Sequence, residues 1–366
     1  MFEYNFNRLY PVLPVVADFK QSPEDFIVEE HIAFDLTGEG EHCWLYIRKR
    51  LLNTEDVAQK LAKFAGVKSL AIGYAGLKDK VGVTSQWFSV QLPGKESPDW
   101  SQLESENLQV LKSTRHSRKL QRGALSFNSF TIHLRNVQSR EESFDAFDGL
   151  QQRCQQIVLS GVPNYFGLQR FGRGLNNLSA AEKMFNPAGN SSDENSNEAN
   201  AKRKKRKKLP RHLRSLYLSS ARSWMFNHIL SARIHAGNWN KRMPGDVFQL
   251  NGKSACFVDD GDECLEQRLQ QFEIHPTATL WGDGDMLSQA ECRLLENDIV
   301  DRFPVFRDGL IAARVDTKRR ALRLQLVNLE GVRQGDDFIL SFQLPPGAYA
   351  TVVLDEIVNI NQSFPK

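Results

Sequence analysis

Apolar and polar residues alternate in short runs over the first third of the chain, the pattern of strands. Phe26-Ile27-Val28-Glu29-Glu30 follows the turn-forming Gln21-Ser22-Pro23, and Cys43-Trp44-Leu45-Tyr46-Ile47 forms a second extended run. Asn53-Thr54-Glu55-Asp56 has the composition of a helix start, and Val57, Leu61 and Phe64 then recur at spacings of four and three on one face. A further strand is predicted near 70–75. It leads into Gly76-Leu77-Lys78-Asp79-Lys80-Val81-Gly82, a glycine-bounded turn. Residues 84–92 return to alternation, with Trp87, Ser89 and Gln91 set against Phe88, Val90 and Leu92. The whole predicts a strand–loop–strand unit with a charged loop tip.

Residues 125–137 alternate again, with Phe130, Ile132 and Leu134 on one face and Thr131, His133 and Arg135 on the other. Phe144, Phe147, Leu150, Cys154, Ile157 and Val158 give 143–160 a helical period, and 217–229 has one too. Between them lies an aromatic–glycine cluster, Asn164-Tyr165-Phe166-Gly167-Leu168-Gln169-Arg170-Phe171-Gly172-Arg173-Gly174. A strand at 338–344, a Pro345-Pro346-Gly347 turn and an apolar stretch at 349–358 close the series, which contains no repeat of fixed period. The expected class is α/β or α+β.

Length and composition narrow this picture. The 366 residues accommodate two domains, or one large domain carrying an insertion. With 41% hydrophobic and 25% charged residues, a wholly disordered chain is excluded. No apolar run reaches the roughly 18 residues of a membrane span, and the first residues lack a secretory layout. The five cysteines form no CxxC pair, which fits a soluble, cytoplasmic protein. A monomer without protein partners is expected, because no heptad pattern or long apolar edge stands out.

Charge is uneven. Residues 186–201 are rich in Asn, Ser and Glu and poor in apolar side chains, and 202–208 is an unbroken run of seven bases; a disordered loop is expected over 188–210. Nine of the 47 bases fall between Lys202 and Arg214, so the other 38 face 44 acids and a polyanion would be held by local patches.

Candidate chemistry centres on Asp79. Lys78 and Lys80 flank it, a setting that suits a carboxylate acting as a nucleophile or stabilising positive charge. A solvated surface turn has the same composition. Lys112, Arg115, Arg118, Lys119 and Arg122, with His116 and no acid among them, make 112–122 a candidate phosphate strip, although composition alone slightly favours a solvated loop or helix face. Phe127-Asn128-Ser129-Phe130 offers an aromatic ring and an amide to an unstacked base, although Phe130 falls on the apolar face. The eight histidines show no HxH or HExxH spacing, no Walker or dinucleotide fingerprint occurs, and Asp259-Asp260-Gly261-Asp262 reads as a turn, so neither a metal nor a cofactor is expected.

Gly76-Leu77-Lys78-Asp79-Lys80, with Thr84-Ser85-Gln86 after it, resembles the GxKDxxxxTxQ signature of the TruD family of tRNA pseudouridine synthases. Three other blocks resemble that family in the same order: Pro23-Glu24-Asp25-Phe26-Ile27-Val28-Glu29-Glu30, the cluster from Asn164 to Gly172, and Pro345-Pro346-Gly347-Ala348-Tyr349-Ala350-Thr351. The resemblance implies isomerisation of uridine to pseudouridine in tRNA, at position 13, without cofactor or metal. It implies Asp79 as the catalytic aspartate and Phe26, Asn128 and Tyr349 as substrate contacts. Phe130 would pack against the base and Lys20 would stand near the carboxylate. The phosphate contacts expected from the basic residues themselves are Lys78, Arg115, Arg118, Lys119 and Arg122. Tyr349 stands where some members have Phe, and Asp355 where some have Arg. The implied fold is a pseudouridine synthase core with a mixed, largely antiparallel sheet, formed by 1–153 and 321–366, interrupted by an α/β TRUD domain over 154–320. A non-catalytic RNA-binding protein of the same fold is the alternative, and a glycosidase or nuclease would call for a second carboxylate or a metal.

Overall fold

The structure, a computed structural model, describes residues 2–121, 123–186 and 209–361. Of the loop expected to be disordered over 188–210, residues 188–208 lie outside those described, as do 187 and Arg122. Two compact units emerge: Val12–Gly161 with Gln325–Ala350 and the chain from Leu354 onward, and the chain up to Pro11 with Val162–Leu324 and Thr351–Val353.

Along the first unit run β1 (Val15–Phe19), β2 (Phe26–Ile32), β3 (His42–Arg50), α1 (Thr54–Phe64), β4 (Ile72–Tyr74), β5 (Val83–Gln91), β6 (Leu108–His116), β7 (Leu125–Ser139) and α2 (Ala146–Ser160). The second unit contains β8 (Val162–Pro163), α3 (Asn176–Phe185), α4 (Arg211–His235), β9 (Val247–Leu250), β10 (Cys256–Val258), α5 (Cys264–Gln270), β11 (Ile274–Leu280), α6 (Ala290–Asp301), α7 (Pro304–Ala312), β12 (Lys318–Ala321) and β13 (Arg323–Leu324). The chain then re-enters the first unit with β14 (Val327–Gln334) and β15 (Asp337–Leu344), and ends in α8 (Ala350–Ile357) and β16 (Asn359–Asn361).

A ten-stranded sheet organises the first unit in the order β14-β15-β7-β2-β5-β3-β6, with β1 beside β7 and β16, and β4 beside β5. Only the pairs β1/β16 and β2/β5 are parallel among the described residues, so the sheet is mixed and mostly antiparallel. Asn53 caps α1 reciprocally with Asp56, and Val57 and Leu61 bury against Cys43, Leu45, Ile47, Phe88 and Val90. The opposite face of β5 packs Trp87 against Trp44 and Leu120. That burial on both faces explains why Trp87 interrupts an otherwise polar set, Ser89 and Gln91, opposite the apolar Phe88, Val90 and Leu92. Asp145 accepts hydrogen bonds from the Phe147 and Asp148 amides to start α2, and Gly161, at φ 78°, ends it.

Two expectations change. The strand predicted at 70–75 shortens to Ile72–Tyr74 behind a 3-10 turn at Ser69–Ala71. The basic strip, expected as a loop or helix face, begins within β6, whose charged side chains suit an edge strand that must resist pairing with other chains.

The second unit has a four-stranded sheet, β10-β9-β11-β12. Its interior includes a buried Arg233–Asp246 ion pair at 2.7 Å and a ring cluster in which Phe6 meets Tyr165 and His228 with centroids 5.4 and 5.1 Å apart. The first residues of the chain therefore pack with this unit.

Candidate active site

Register decides which side chains meet. Phe26 pairs with Ile132, Val28 with Phe130 and Glu30 with Asn128; Val28 pairs with Thr84, and Thr84 with Lys49. One face of the sheet thus presents Phe26, Glu30, Lys49, Gln86, Asn128 and Phe130. The loop between β4 and β5 carries Asp79 to these residues.

The Asp79 carboxylate, about one-third exposed, takes Lys20 Nζ at 3.2 Å. Lys20 is buried, with its ammonium 4.0 Å from the centroid of the Phe26 ring, so the cation lies between a carboxylate and an aromatic face. Its backbone adopts φ 59°, a left-handed conformation that costs a residue bearing a Cβ about 1–3 kcal/mol and that turns the chain sharply after β1. Gly82 closes the loop against β2. A Cβ there would stand 2.7 Å from the Phe26 carbonyl oxygen, so only glycine permits the approach.

Three buried side chains fix the loop backbone. Gln86 donates from Nε2 to the Gly76 carbonyl at 3.2 Å and accepts from Thr54 Oγ1 at 2.8 Å. Thr54 Oγ1 in turn accepts from the Lys78 amide at 3.0 Å. Lys49, fully buried, donates to the carbonyls of Asp79 and Leu52, each at 2.8 Å. The Gln of the TxQ motif is therefore an anchor of the aspartate loop. Gln86→Leu keeps the volume but orphans the Gly76 carbonyl, a loss of about 1–3 kcal/mol. We expect a lower urea midpoint together with at least tenfold lower activity; an unchanged midpoint and rate would remove Gln86 from loop support.

Lys49 is a residue the sequence reading missed. In Arg48-Lys49-Arg50 it looks like surface charge, yet it continues the inward series Leu45, Ile47, Lys49. That period of two was the available signal. Burial pulls its ammonium down from 10.5 to about 8, opposed in part by the negative charge of Asp79. From about pH 8 to 10.5 the unfolded chain holds a proton that the folded chain has shed, so folding stability gains as pH rises through this window. Below pH 8 the cost of the buried cation is fully present. A neutral amine retains two N–H donors for its two carbonyls. Urea midpoints of wild type and Lys49→Met, compared from pH 7 to 10, should diverge in favour of wild type above about pH 8; a constant difference would contradict this.

The remaining site residues fall into two groups. Lys78 turns inward: its ammonium pairs with Glu30 at 2.9 Å and hydrogen-bonds Asn128 Oδ1. Expected as a phosphate contact, Lys78 is instead neutralised in a pair whose side chains are 8% and 0% exposed, and it orients the Asn128 amide. Phe130 is buried, 5.4 Å from Phe342 in a stacked pair and 6.1 Å from Phe26. Tyr349 caps α8, five residues beyond Leu344, which pairs with Asn128.

The basic strip lies elsewhere. Arg115 pairs with Cys43 and Cys43 with Val90, seven residues along β5 from the loop end at Val83, roughly 23 Å at strand rise. Arg115 donates to the Lys95 carbonyl at 2.7 Å, Lys119 donates to the Leu70 carbonyl, and Arg118 is exposed. The structure does not bring these three side chains to Asp79, and two of them are engaged with backbone carbonyls. A groove of about 760 Å³, lined by Glu29, His31, Tyr46, Trp87 and Lys112 among others, opens mainly on the other face of the sheet. Among the described residues no cluster of His, Cys, Asp or Glu has the makings of a metal site, and no helix is long and apolar enough to cross a membrane.

Known proteins resemble this chain along most of its length. A family model described as tRNA pseudouridine synthase D (TruD) matches residues 12–184 and 192–357. The tRNA pseudouridine synthase D of Methylococcus capsulatus is 45% identical over 342 residues, 93% of this chain and 90% of that protein. That of Pseudomonas syringae pv. tomato is 42% identical over 347 residues, covering 94% and 92%. The crystal structure of a putative tRNA pseudouridine synthase D from Methanosarcina mazei shares the fold, with a TM-score of 0.71 over 96% of each chain at 23% identity. With the family model spanning nearly the whole chain and relatives this similar along their length, the chain belongs to the tRNA pseudouridine synthase D (TruD) family.

Proposed function

We propose that this chain isomerises uridine to pseudouridine in tRNA, at position 13, with Asp79 as the catalytic carboxylate. The observation that carries the reading is a partly exposed carboxylate, ion-paired to a buried lysine and held on a loop that three buried side chains immobilise. The reaction breaks the N1–C1′ bond, turns the uracil and joins C5 to C1′; N1 ends protonated and the C5 proton leaves to solvent. Positive charge develops at C1′ on cleavage, and a single preorganised anion is suited to meet it.

Lys20 fixes the direction of the carboxylate. Asn128, oriented by the Lys78–Glu30 pair, supplies an amide for the edge of the base, while Phe26, Phe130 and Tyr349 supply rings that retain the detached uracil. The sheet unit, 12–161 with 325–350, is the catalytic part, and residues 162–324 of the second unit are the insertion that interrupts it.

The test uses tRNA transcripts tritiated at uridine C5, with release of label to water scored and the product mapped. Release accompanied by one pseudouridine at position 13 supports the whole proposal. Release mapped to another position retains the isomerase and rejects the site. Tight binding without release would favour the RNA-binding alternative.

A further inference from the structure

Leu77 is 68% exposed, two residues before Asp79. An exposed leucine in a mobile loop would be unremarkable, since single surface apolar residues are common. The backbone here is not free. On one side of Leu77 the Gly76 carbonyl is held by Gln86, on the other the Lys78 amide is held by Thr54, and one residue further the Asp79 carbonyl is held by Lys49. All three holding side chains are buried. Lys78 points inward to Glu30, which leaves Leu77 exposed on a fixed segment two residues before Asp79.

Such an arrangement has a use if the target base must be withdrawn from a stack. Extruding a nucleotide opens a gap between its neighbours, and an apolar side chain pushed into that gap replaces part of the lost contact. A wedge must be apolar, so that it loses little on leaving water. It must also be rigid, so that the stack yields before the loop does. Leu77 meets both conditions and lies two residues from Asp79, which would receive the uridine. We propose that Leu77 is the wedge that enters the RNA stack when the target uridine moves to Asp79, a reading that rests on the isomerase function above.

Two measurements separate this from a merely structural leucine. In an Asp79→Asn background, which halts turnover, tRNA carrying 2-aminopurine beside the target uridine should brighten on saturation with protein. Adding Leu77→Ala should abolish most of that rise, and adding Leu77→Met should keep it. In tritium release with Asp79 intact, Leu77→Ala should lower kcat about 10- to 100-fold on tRNA whose target uridine is stacked. On a transcript in which that uridine is bulged and already unstacked, the same variant should stay within about twofold of wild type, because the wedge has no work left to do. A full fluorescence rise with Leu77→Ala, or equal losses on the stacked and bulged substrates, would overturn the proposal. If wild type releases label from no tRNA, the isomerase reading fails, and the fluorescence comparison still decides the role of Leu77.

Discussion

Asp79→Asn should reduce tritium release from tRNA to background while leaving tRNA affinity within a few-fold of wild type. Asparagine is nearly isosteric and keeps a carbonyl oxygen for Lys20, so the loop, whose anchors are backbone bonds to Thr54, Lys49 and Gln86, has no reason to move. What disappears is the charge that meets C1′ and the capacity for nucleophilic attack, and loss of an essential nucleophile typically costs many powers of ten. Affinity is spread over many contacts along the RNA, so one carboxylate removed from the site changes it little. Turnover within tenfold of wild type would exclude Asp79 as the nucleophile and would redirect attention to Glu30, the other carboxylate on this face.

The second large effect is expected at Lys49. Lys49→Met retains most of the buried stem but removes the donors to the Asp79 and Leu52 carbonyls. Leaving a buried carbonyl unpaired costs about 1–3 kcal/mol, and part of that is recovered if the loop shifts to find water. A shift of about 1 Å at a reacting group can lower a rate by about 10²-fold. The expected result is therefore a fall of about that size in kcat with KM changed by less than threefold, since Lys49 lies under the loop rather than on its outer surface. An effect confined to KM would mean that Lys49 acts on RNA binding instead. Lys49→Arg is no conservative rescue, because a planar guanidinium cannot enter a pocket shaped for one amine.

Much of the sheet was legible in the sequence because its strands alternate. The face holding Phe130, Ile132 and Leu134 is the buried face of β7, and the Asn53 helix start is where α1 begins. The aspartate loop was legible through its bounding glycines, and for Gly82 the reason is now physical, a backbone approach to Phe26 that no Cβ survives. Legibility failed where one residue type serves two environments. Lys49 and Lys78 are chemically identical to the surface lysines around them, yet both are buried and paired with partners 30 and 48 positions away. The β4–β5 loop, folded over the strands that carry Lys49 and Glu30, creates those partners, and no local window contains them. Conversely, five bases within eleven residues resemble a phosphate strip, but in β6 and the turn after it Arg115 and Lys119 are taken up by carbonyls at the far end of the sheet.

The position of β15 has a consequence for biosynthesis. β7 is paired along its other edge with β1 and β2, both of which precede it in the chain, whereas β15 is made only after residues 162–324 of the second unit have been synthesised. Until then the Asn128 end of β7 presents open amides and carbonyls beside exposed Phe130 and Ile132, the kind of edge that recruits other strands. A nascent chain stalled between α2 and β14 would hold Asp79, Lys20, Lys49 and Asn128 and still lack the strand that locks Asn128 in register. Premature truncation there should yield an insoluble product rather than a weakly active one, and chaperone demand should peak before residue 337 leaves the ribosome.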